Sequence, residues 1–404
     1  MVLAAGGGTR MAPLSADRPK VLLPVGGRPL LSWTFDALRD AGAREASVIV
    51  NHGEPELRSW ARTASTLKTR IVRQPKADGT GGAVRIAAGK RPREPFFVHY
   101  GDVWVPPKVL ASLVREEGSW IGVHQVPDAA AFGSVEARRG TLVKIHEKSA
   151  KPPSRNVFAG LARLEPDALL RLSSLKKSPR GEYELTDVLN QHAADGGKIR
   201  VVKIPEWFEA GRPWNLLTIQ QRLLRDATSK GSRVGAVIEP GARLMGHVEV
   251  GAGTRIRSGA YIEGPVVIGK DCKIGPNCYI RPTTSIGDRC HIGASVEVKN
   301  SIVMDDTNVP HLSYVGDSVL ASRVNLGAGT NVANLKVTPQ NVRATLGDGS
   351  KIDTGMRKLG TMIGPDTKIG INCSLNPGTV VGANCLVGAG NVLSGWIPSG
   401  TKVL

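Results

Sequence analysis

Two features of the 404-residue sequence predict an α/β doubly wound domain followed by a parallel β-helix. Aliphatic residues hold a strict six-residue spacing from Ile238 to Val298, and strand-like segments alternate with helix-like ones in the N-terminal half. Composition agrees. Aromatics make up only 4% of the chain while glycine reaches 48 residues, so the core must be built from Val, Ile, Leu and Ala, as stacked repeats prefer.

The spacing runs Ile238, Leu244, Val250, Ile256, Ile262, Ile268, Ile274, Ile280, Ile286, Ile292, Val298. The next residue is often glycine (Gly251, Gly269, Gly275, Gly287, Gly293), and a small residue follows four on (Ala242, Thr254, Ala260, Cys272, Thr284). An α-helix repeats at 3.6 residues and a lone strand at 2. A six-residue period with a large and a small residue both turned inward suits one flat face of a parallel β-helix. Glycine is expected to allow the corner between faces. Each turn then buries its apolar side only against its neighbours, which makes one continuous core. A run of ordinary short strands would not keep register through eleven positions. The pattern resembles the hexapeptide-repeat family, which implies a left-handed β-helix with three hexads per coil. The five cysteines, Cys272, Cys278, Cys290, Cys373 and Cys385, each follow a hexad aliphatic by four residues. They are expected to fill the core as small hydrophobes rather than to form a zinc site or disulfides.

The net charge is +18, but the basic residues are scattered and no nucleic-acid motif appears. Phosphorylated small molecules are therefore the expected partners, rather than nucleic acid or a membrane surface; a plain basic surface is the alternative. No charged-then-apolar leader is visible and no apolar run approaches ~18 residues, so a cytoplasmic protein is expected. Met1 stands almost inside the first strand, and a few upstream residues are expected to be missing.

In the N-terminal half, a short apolar strand runs into Gly6-Gly7-Gly8-Thr9-Arg10-Met11. Glycines let backbone N–H groups approach a phosphate, and Arg10 adds charge. The loop is neither a P-loop nor GxGxxG. Its continuation through Arg18-Pro19-Lys20 and Leu22-Leu23-Pro24-Val25 resembles the signature of the sugar-phosphate nucleotidylyltransferases. That resemblance implies nucleotide contacts at Leu3, Ala5, Gly6 and Gly7, with Arg10 and Lys20 neutralising phosphates. Leu30–Ala41 has helical spacing and Ala46–Val50 reads as a buried strand, the βαβ pattern of a parallel sheet. Arg73-Gln74-Pro75 through Asp78-Gly79-Thr80 resembles the family's base-reading loop, which places Gln74, Gly79 and Thr80 beside the base. The apolar strand Phe96–Tyr100 ends in Gly101-Asp102, setting a carboxylate at the sheet's carboxyl edge, where doubly wound folds bind ligands. Mg²⁺ prefers hard oxygens, so Asp102 is the first candidate metal ligand; His99 reads as a packed strand residue.

Gly133 and Glu147 resemble the family's sugar-binding positions, as does Gly160, and Arg180–Asp187 matches its RGEYELTD stretch. Two departures stand out. Phe158-Ala159-Gly160 lacks the Asn that would contact the sugar, unless Asn156 substitutes. Trp207-Phe208-Glu209 has Glu where the family has Asp, making Glu209 a longer second metal ligand.

The hexad register slips after Val298: Ile302, then Tyr314, Leu320, Leu326 and Val332 resume a six-step shifted by four. A second break spans 333–362. Sites where a strict pattern fails are where function is expected. Arg281-Pro282, Lys299, His311-x-x-Tyr314-x-Gly316-Asp317 and Asn325–Thr330 resemble the acetyltransferase half of the bifunctional uridylyltransferase/glucosamine-1-phosphate acetyltransferases. The resemblance implies His311 as general base, Arg281, Lys299 and Tyr314 on the sugar phosphate, and Asn325 beside the amino sugar. Further on, Asn331 and Lys358 look more like the archaeal members, whose residues there face substrate or CoA. An attacking amine must lose a proton, which suits histidine, and a phosphate needs cations and a hydroxyl.

The expected protein is thus a nucleotidylyltransferase domain over 1–225, a linker over 226–234 and a β-helix acetyltransferase domain over 235–404. The resemblance implies that it acts as a homotrimer on a sugar-1-phosphate with acetyl-CoA, UTP or dTTP, and Mg²⁺. Two rivals are a single-function guanylyl- or adenylyltransferase with a regulatory β-helix, and a non-catalytic scaffold with a decayed first site.

Overall fold

The computed structural model describes residues 1–89, 93–227 and 231–404; residues 228–230 of the expected linker lie outside the described residues. The chain forms two compact units. One joins Met1–Gly7 to Leu30–Glu209, and the other joins Gly8–Pro29 to Ala210–Leu404.

The first unit is built on a nine-stranded sheet in the order Lys68–Arg73, Glu45–Val50, Val2–Leu3, Phe96–Tyr100, Asn156–Leu164, Trp120–Gln125, Arg200–Lys203, Thr141–Glu147, Gly133–Arg138. The first four strands are parallel, with Val2 opposite both Val48 and His99. Val2–Leu3 therefore has a neighbour on each side at the point where strand order reverses, the position where doubly wound sheets hold ligands. The expected helix is observed as Leu30–Asp40, burying Leu30, Leu31, Phe35 and Leu38 at helical spacing. The expected strand runs Glu45–Val50. Beyond Tyr100 the sheet is mixed, whereas the sequence pattern suggested a parallel one. Asn156–Leu164 runs antiparallel to both neighbours, and Gly133–Arg138 pairs with Thr141–Glu147 as a hairpin. The hairpin has a local reason: Arg139 and Gly140 both have positive φ (50° and 75°), the primed turn that closes a two-residue hairpin without a crossover.

In the second unit the hexads coil into three parallel sheets of nine, eight and eight strands. Ile238, Ile256, Ile274 and Ile292 stack in one, Leu244, Ile262, Ile280 and Val298 in the next, and Val250, Ile268 and Ile286 in the third. Three hexads make each coil, as expected. Interior aliphatics of these ladders are sealed from solvent, while Ile238 at the open end is not. All five cysteines are buried and unbridged. The thiols of Cys272, Cys290, Cys373 and Cys385 face carbonyls of the following coil, such as Cys272 Sγ to Gly287 O at 3.0 Å and Cys385 Sγ to Pro398 O at 3.1 Å.

Two expectations are corrected. The corner is not made by the glycine after each aliphatic. It falls three residues after the aliphatic, where Asp271, Asn277, Arg289 and Ser295 take left-handed backbone with φ near 50–56°. Gly251, Gly269, Gly287 and Gly293 serve close approach between coils instead: a Cβ on Gly293 would lie 1.9 Å from Pro310 O, and one on Gly251 2.6 Å from Gly269 C; Gly275 alone of the five takes positive φ (88°). The register slip also differs. Val303, not Ile302, stacks on Ile286, and Val315, not Tyr314, stacks on Val298. Two steps, 299–303 and 316–320, are five residues long instead of six, so each coil there loses one residue and the ladder continues through Leu320, Leu326 and Val332. The second break is an excursion that leaves the stack intact. Leu320, Leu326 and Val332 pair with Ile363, Ile369 and Leu375, while the intervening segment forms the hairpin Arg343–Thr345 with Lys351–Asp353.

Gly8–Pro29 and the helix Asn215–Arg225 are anchored to this β-helix. Gln220, fully buried, accepts from Gly26 N (2.9 Å) and Ser285 Oγ (2.6 Å) and donates to Thr283 O (2.7 Å) and Ser301 O (3.1 Å). Arg18 donates to Ser322 Oγ at 2.6 Å, and Arg323 bridges Asp17 and Asp366. Replacing Gly293 by alanine should lower thermal stability by about 1–3 kcal/mol through overpacking against Pro310, because backbone cannot yield as a side chain would. An unchanged melting midpoint would show that the coils can separate there.

Candidate active sites

In the first unit, Val2–Leu3 delivers the glycine loop. Gly101 N donates to Leu3 O (2.8 Å) and Ala4 N to Ile49 O (2.8 Å), so Leu3, Ala5 and Gly101 are brought to one edge; Gly6 and Gly7 are exposed beyond it. Asp102 follows directly. The short antiparallel ladder Val103–Trp104 with Phe208–Glu209 sets Glu209 opposite Val103, the residue after Asp102. Packing of Trp104 on Phe208 (ring centroids 5.5 Å) steadies it. Two carboxylates one register step apart, from segments a hundred residues apart, are hard-oxygen donors of the kind Mg²⁺ takes alongside phosphate oxygens and water.

The expected base loop is clamped. Gly81 N donates to Tyr183 O (2.7 Å), Tyr183 N to Asp78 O (2.7 Å) and Leu185 N to Thr80 Oγ1 (3.0 Å). Gly79, at φ 103°, leaves no room for a Cβ, which would meet Tyr183 O at 2.5 Å. The RGEYELTD stretch thus braces Gly79 and Thr80. Gln74 is also part of the brace. It is 1% exposed, and its amide nitrogen donates to Asp78 Oδ1 (2.6 Å) and Gly79 O (3.1 Å). Arg180 joins Glu184 (2.6 Å) and Glu147 (3.5 Å). Burial pushes the Glu147 carboxyl up, with Arg180 opposing. A Cβ on Gly133 would stand 2.9 Å from Glu147 Oε2, and one on Gly160 would enter the Tyr100 ring. Phe158 packs edge-on to that ring at 5.6 Å, so an apolar contact occupies the place where the family has Asn.

In the second unit, Arg10 lies in the turn Thr9–Met11 and Lys20 opens the turn Lys20–Leu22. A Cβ on Gly8 would reach Ser15 (3.5 Å) and Lys20 (3.6 Å), so this loop is compact. Arg212, to which the sequence reading assigned no role, lies in the field of Arg10. Burial and then Arg10 push its guanidinium below the usual value, with Asp348 opposing. Two like charges held together are what an anion site requires, and the only sign in the sequence was an arginine between Gly211 and Pro213.

The β-helix assembles the other candidates on one sheet and its two corners. His311 ends the strand Asn308–His311 and is exposed. Leu312 takes the left-handed corner (φ 48°), and Tyr314 opens the strand Tyr314–Gly316 on the adjoining sheet. There Tyr314 stacks between Glu297 and Asn331. At the far edge of that sheet stand Arg281, bonded to Glu297 Oε1 (2.8 Å), and Lys299, bonded to Asp317 Oδ2 (3.1 Å). The bond to Glu297 raises the Arg281 guanidinium pKa, and burial followed by Asp317 raises that of the Tyr314 phenol. Asn334 donates to Tyr314 Oη (3.1 Å) and, more closely, to Asp317. Asn325 belongs to the His311 sheet, opposite Asn308 and Lys368. Asn331 donates to Gly329 O, and Lys358 is exposed in a bridge to Leu335. An imidazole at one corner and two cations with a phenol toward the other can hold a phosphorylated ring whose amine faces the imidazole. Sequence reading missed Glu297, Asn300 and Asn334, because their value lies in what they hold across coils.

Three family models match: nucleotidyl transferase over residues 1–226, the GMPPB C-terminal domain over 262–348, and bacterial transferase hexapeptide repeats over 360–395. A bifunctional sugar-1-phosphate nucleotidylyltransferase/acetyltransferase of Sulfurisphaera tokodaii is 37% identical, covering 93% of this chain and 92% of that protein. The bifunctional protein GlmU of Methanococcus maripaludis is 37% identical over 93% of this chain and 89% of its own length. GlmU of Cupriavidus necator is 34% identical over 83% and 84%. Among the described residues, no helix is long and apolar enough to cross a membrane.

His99, beside the carboxylate edge, is the packed strand residue expected, at 1% exposure. Burial lowers its pKa to about 4, with Asp102 opposing weakly. The unfolded chain therefore binds a proton between about pH 6.5 and 4 that the folded chain refuses, and stability falls as pH drops through that window. Relative to His99→Gln, the wild type should lose up to about 3 kcal/mol across it in denaturant unfolding. Equal pH slopes would show that the ring gains a partner on protonation.

Proposed function

The chain belongs to the family of bifunctional sugar-1-phosphate nucleotidylyltransferase/acetyltransferases, and from that membership we propose that it makes a nucleotide-activated N-acetyl amino sugar in two reactions. The observation that carries the first is the exposed His311 one corner away from Tyr314, on whose sheet Arg281 and Lys299 stand. Glucosamine-1-phosphate, or galactosamine-1-phosphate, binds with its phosphate on Arg281, Lys299 and Tyr314 and its amine toward His311. The amine attacks the acetyl-CoA carbonyl carbon. His311 takes the amine proton as the C–N bond forms, and CoA leaves with the C–S bond pair. Asn325 lies beside the amino sugar, and Asn331 and Lys358 face substrate or CoA. The active form is a homotrimer with CoA between coils of adjacent subunits, and its compartment is the cytoplasm.

In the second reaction, a sugar-1-phosphate oxygen attacks the α-phosphorus of UTP or dTTP and pyrophosphate leaves. Leu3, Ala5, Gly6, Gly7 and Gly101 frame the nucleotide, and Gln74, Gly79 and Thr80 frame its base. Gly133, Glu147 and Gly160 line the sugar. Arg10 and Lys20 offset the phosphate charge. Asp102 and Glu209 would hold Mg²⁺, which supplies positive charge to the reacting phosphates. The functional domains are 1–225 and 235–404, joined by 226–234. A second reading, a guanylyl- or adenylyltransferase with a regulatory β-helix, is favoured by the GMPPB-type match over 262–348.

His311→Ala should cut thiol release from acetyl-CoA by about 10²–10⁴-fold while pyrophosphate release persists, and Asp102→Asn should do the reverse. Loss of both activities in either variant refutes the division of labour. No thiol release from the wild type with either amino sugar would favour the second reading. Light scattering should give the mass of three chains, and a monomer would rule out a site shared between subunits.

A further inference from the structure

The two shortened steps of the β-helix have a chemical consequence. At six-residue steps the left-handed corner residue is not buried: it is exposed at Asp271, Asn277, Arg289, Ser295 and Arg323 and half-buried at Thr283 and Asp306. At the five-residue steps the corner residues are Asn300 (φ 45°) and Asp317 (φ 50°), and both are buried, at 6% and 3% exposure. Dropping one residue draws the corner in. Because the short steps lie in consecutive coils, the two residues stack: Asp317 N donates to Lys299 O (2.9 Å), and Asn300 Nδ2 to Asp317 Oδ1 (2.6 Å). Asp317 Oδ2 takes Lys299 Nζ (3.1 Å) and the Asn334 amide, which also reaches Tyr314 Oη. Asn300 is held in turn by Thr283 Oγ1 (2.8 Å) and Gln221 Nε2 (3.0 Å).

We infer that Asp317 is the positioning residue of the sugar-phosphate subsite, orienting Lys299 directly and Tyr314 through Asn334. The inference rests on the proposed role of Lys299 and Tyr314 at that phosphate. A lysine ammonium is a mobile point charge with three donors on a flexible stem. One donor spent on a buried carboxylate fixes the nitrogen and leaves two for phosphate. The same carboxylate fixes the asparagine that orients the phenol, so a single buried charge aligns both groups without touching substrate.

The test is steady-state acetyl transfer, read by thiol release, in the full chain. Asp317→Asn keeps shape and some hydrogen bonding but removes the charge. It should raise KM for glucosamine-1-phosphate about tenfold, with kcat and KM for acetyl-CoA within about twofold. Lys299→Met should raise the same KM, and adding it to Asp317→Asn should cost less than the two effects multiplied, since both remove one interaction. If Lys299→Met raises that KM and Asp317→Asn does not, or if Asp317→Asn damages both KM values and kcat together, the positioning role is wrong and the subsite stands. If Lys299→Met leaves that KM unchanged, the subsite itself is wrong. Should Asp317→Asn fail to fold, Asn334→Ala is judged by the same criteria on the Tyr314 arm.

Discussion

Stacking in the β-helix sets a narrow tolerance. Each inward aliphatic must lie over its counterpart one coil below, as Ile256, Ile274 and Ile292 do, or the core opens. Length can therefore change only at corners. The chain uses that freedom in two ways: it omits a single residue at the same corner of two consecutive coils, and it expels a long excursion after Val332 while returning to the same ladder at Ile363. Both changes fall around the same edge. The omissions bury Asn300 and Asp317, and the excursion contributes Asn334, which joins them. A buried carboxylate costs free energy unless it is paired and hydrogen-bonded, and here both oxygens are. A polar cluster this fully satisfied is a rigid support for functional groups.

The same economy ties the N-terminal motif to the rod. Gly8–Pro29 and Asn215–Arg225 belong to the β-helix unit by contact although they lie in the nucleotidyl transferase match by sequence. Gln220 holds them with four hydrogen bonds from one buried amide. Leaving such groups unpaired would cost about 1–3 kcal/mol each, so the arrangement is strongly specified. Gln221, its neighbour, reaches Asn300 and hence the Asp317 cluster.

The nucleotidyl half follows a different logic. Its parallel strands converge on Val2–Leu3, where the order reverses, and its carboxylates come from the ends of segments far apart in the chain. The mixed far half of the sheet supplies Gly133, Glu147 and Gly160. There Phe158 packs edge-on against Tyr100, an apolar contact.

The period of six alone determined that the C-terminal half stacks as a parallel β-helix, because neither an α-helix nor a lone strand repeats at that interval, and it sufficed to assign the cysteines to the core; three hexads per coil came with the family resemblance. The motif runs likewise marked His311, Tyr314, Lys299 and Asp102. Three things were decided only by the folded chain. Which residue of a hexad turns the corner depends on contacts between coils, so glycine after the aliphatic meant close approach and not a turn. Whether a slip is a shift by four or two single omissions depends on what Ile286 and Val298 stack upon. That Gln220, Asn300, Asp317 and Asn334 tie coils and segments together depends on partners seventeen or more residues away, and a linear pattern carries no trace of a hydrogen bond across that distance.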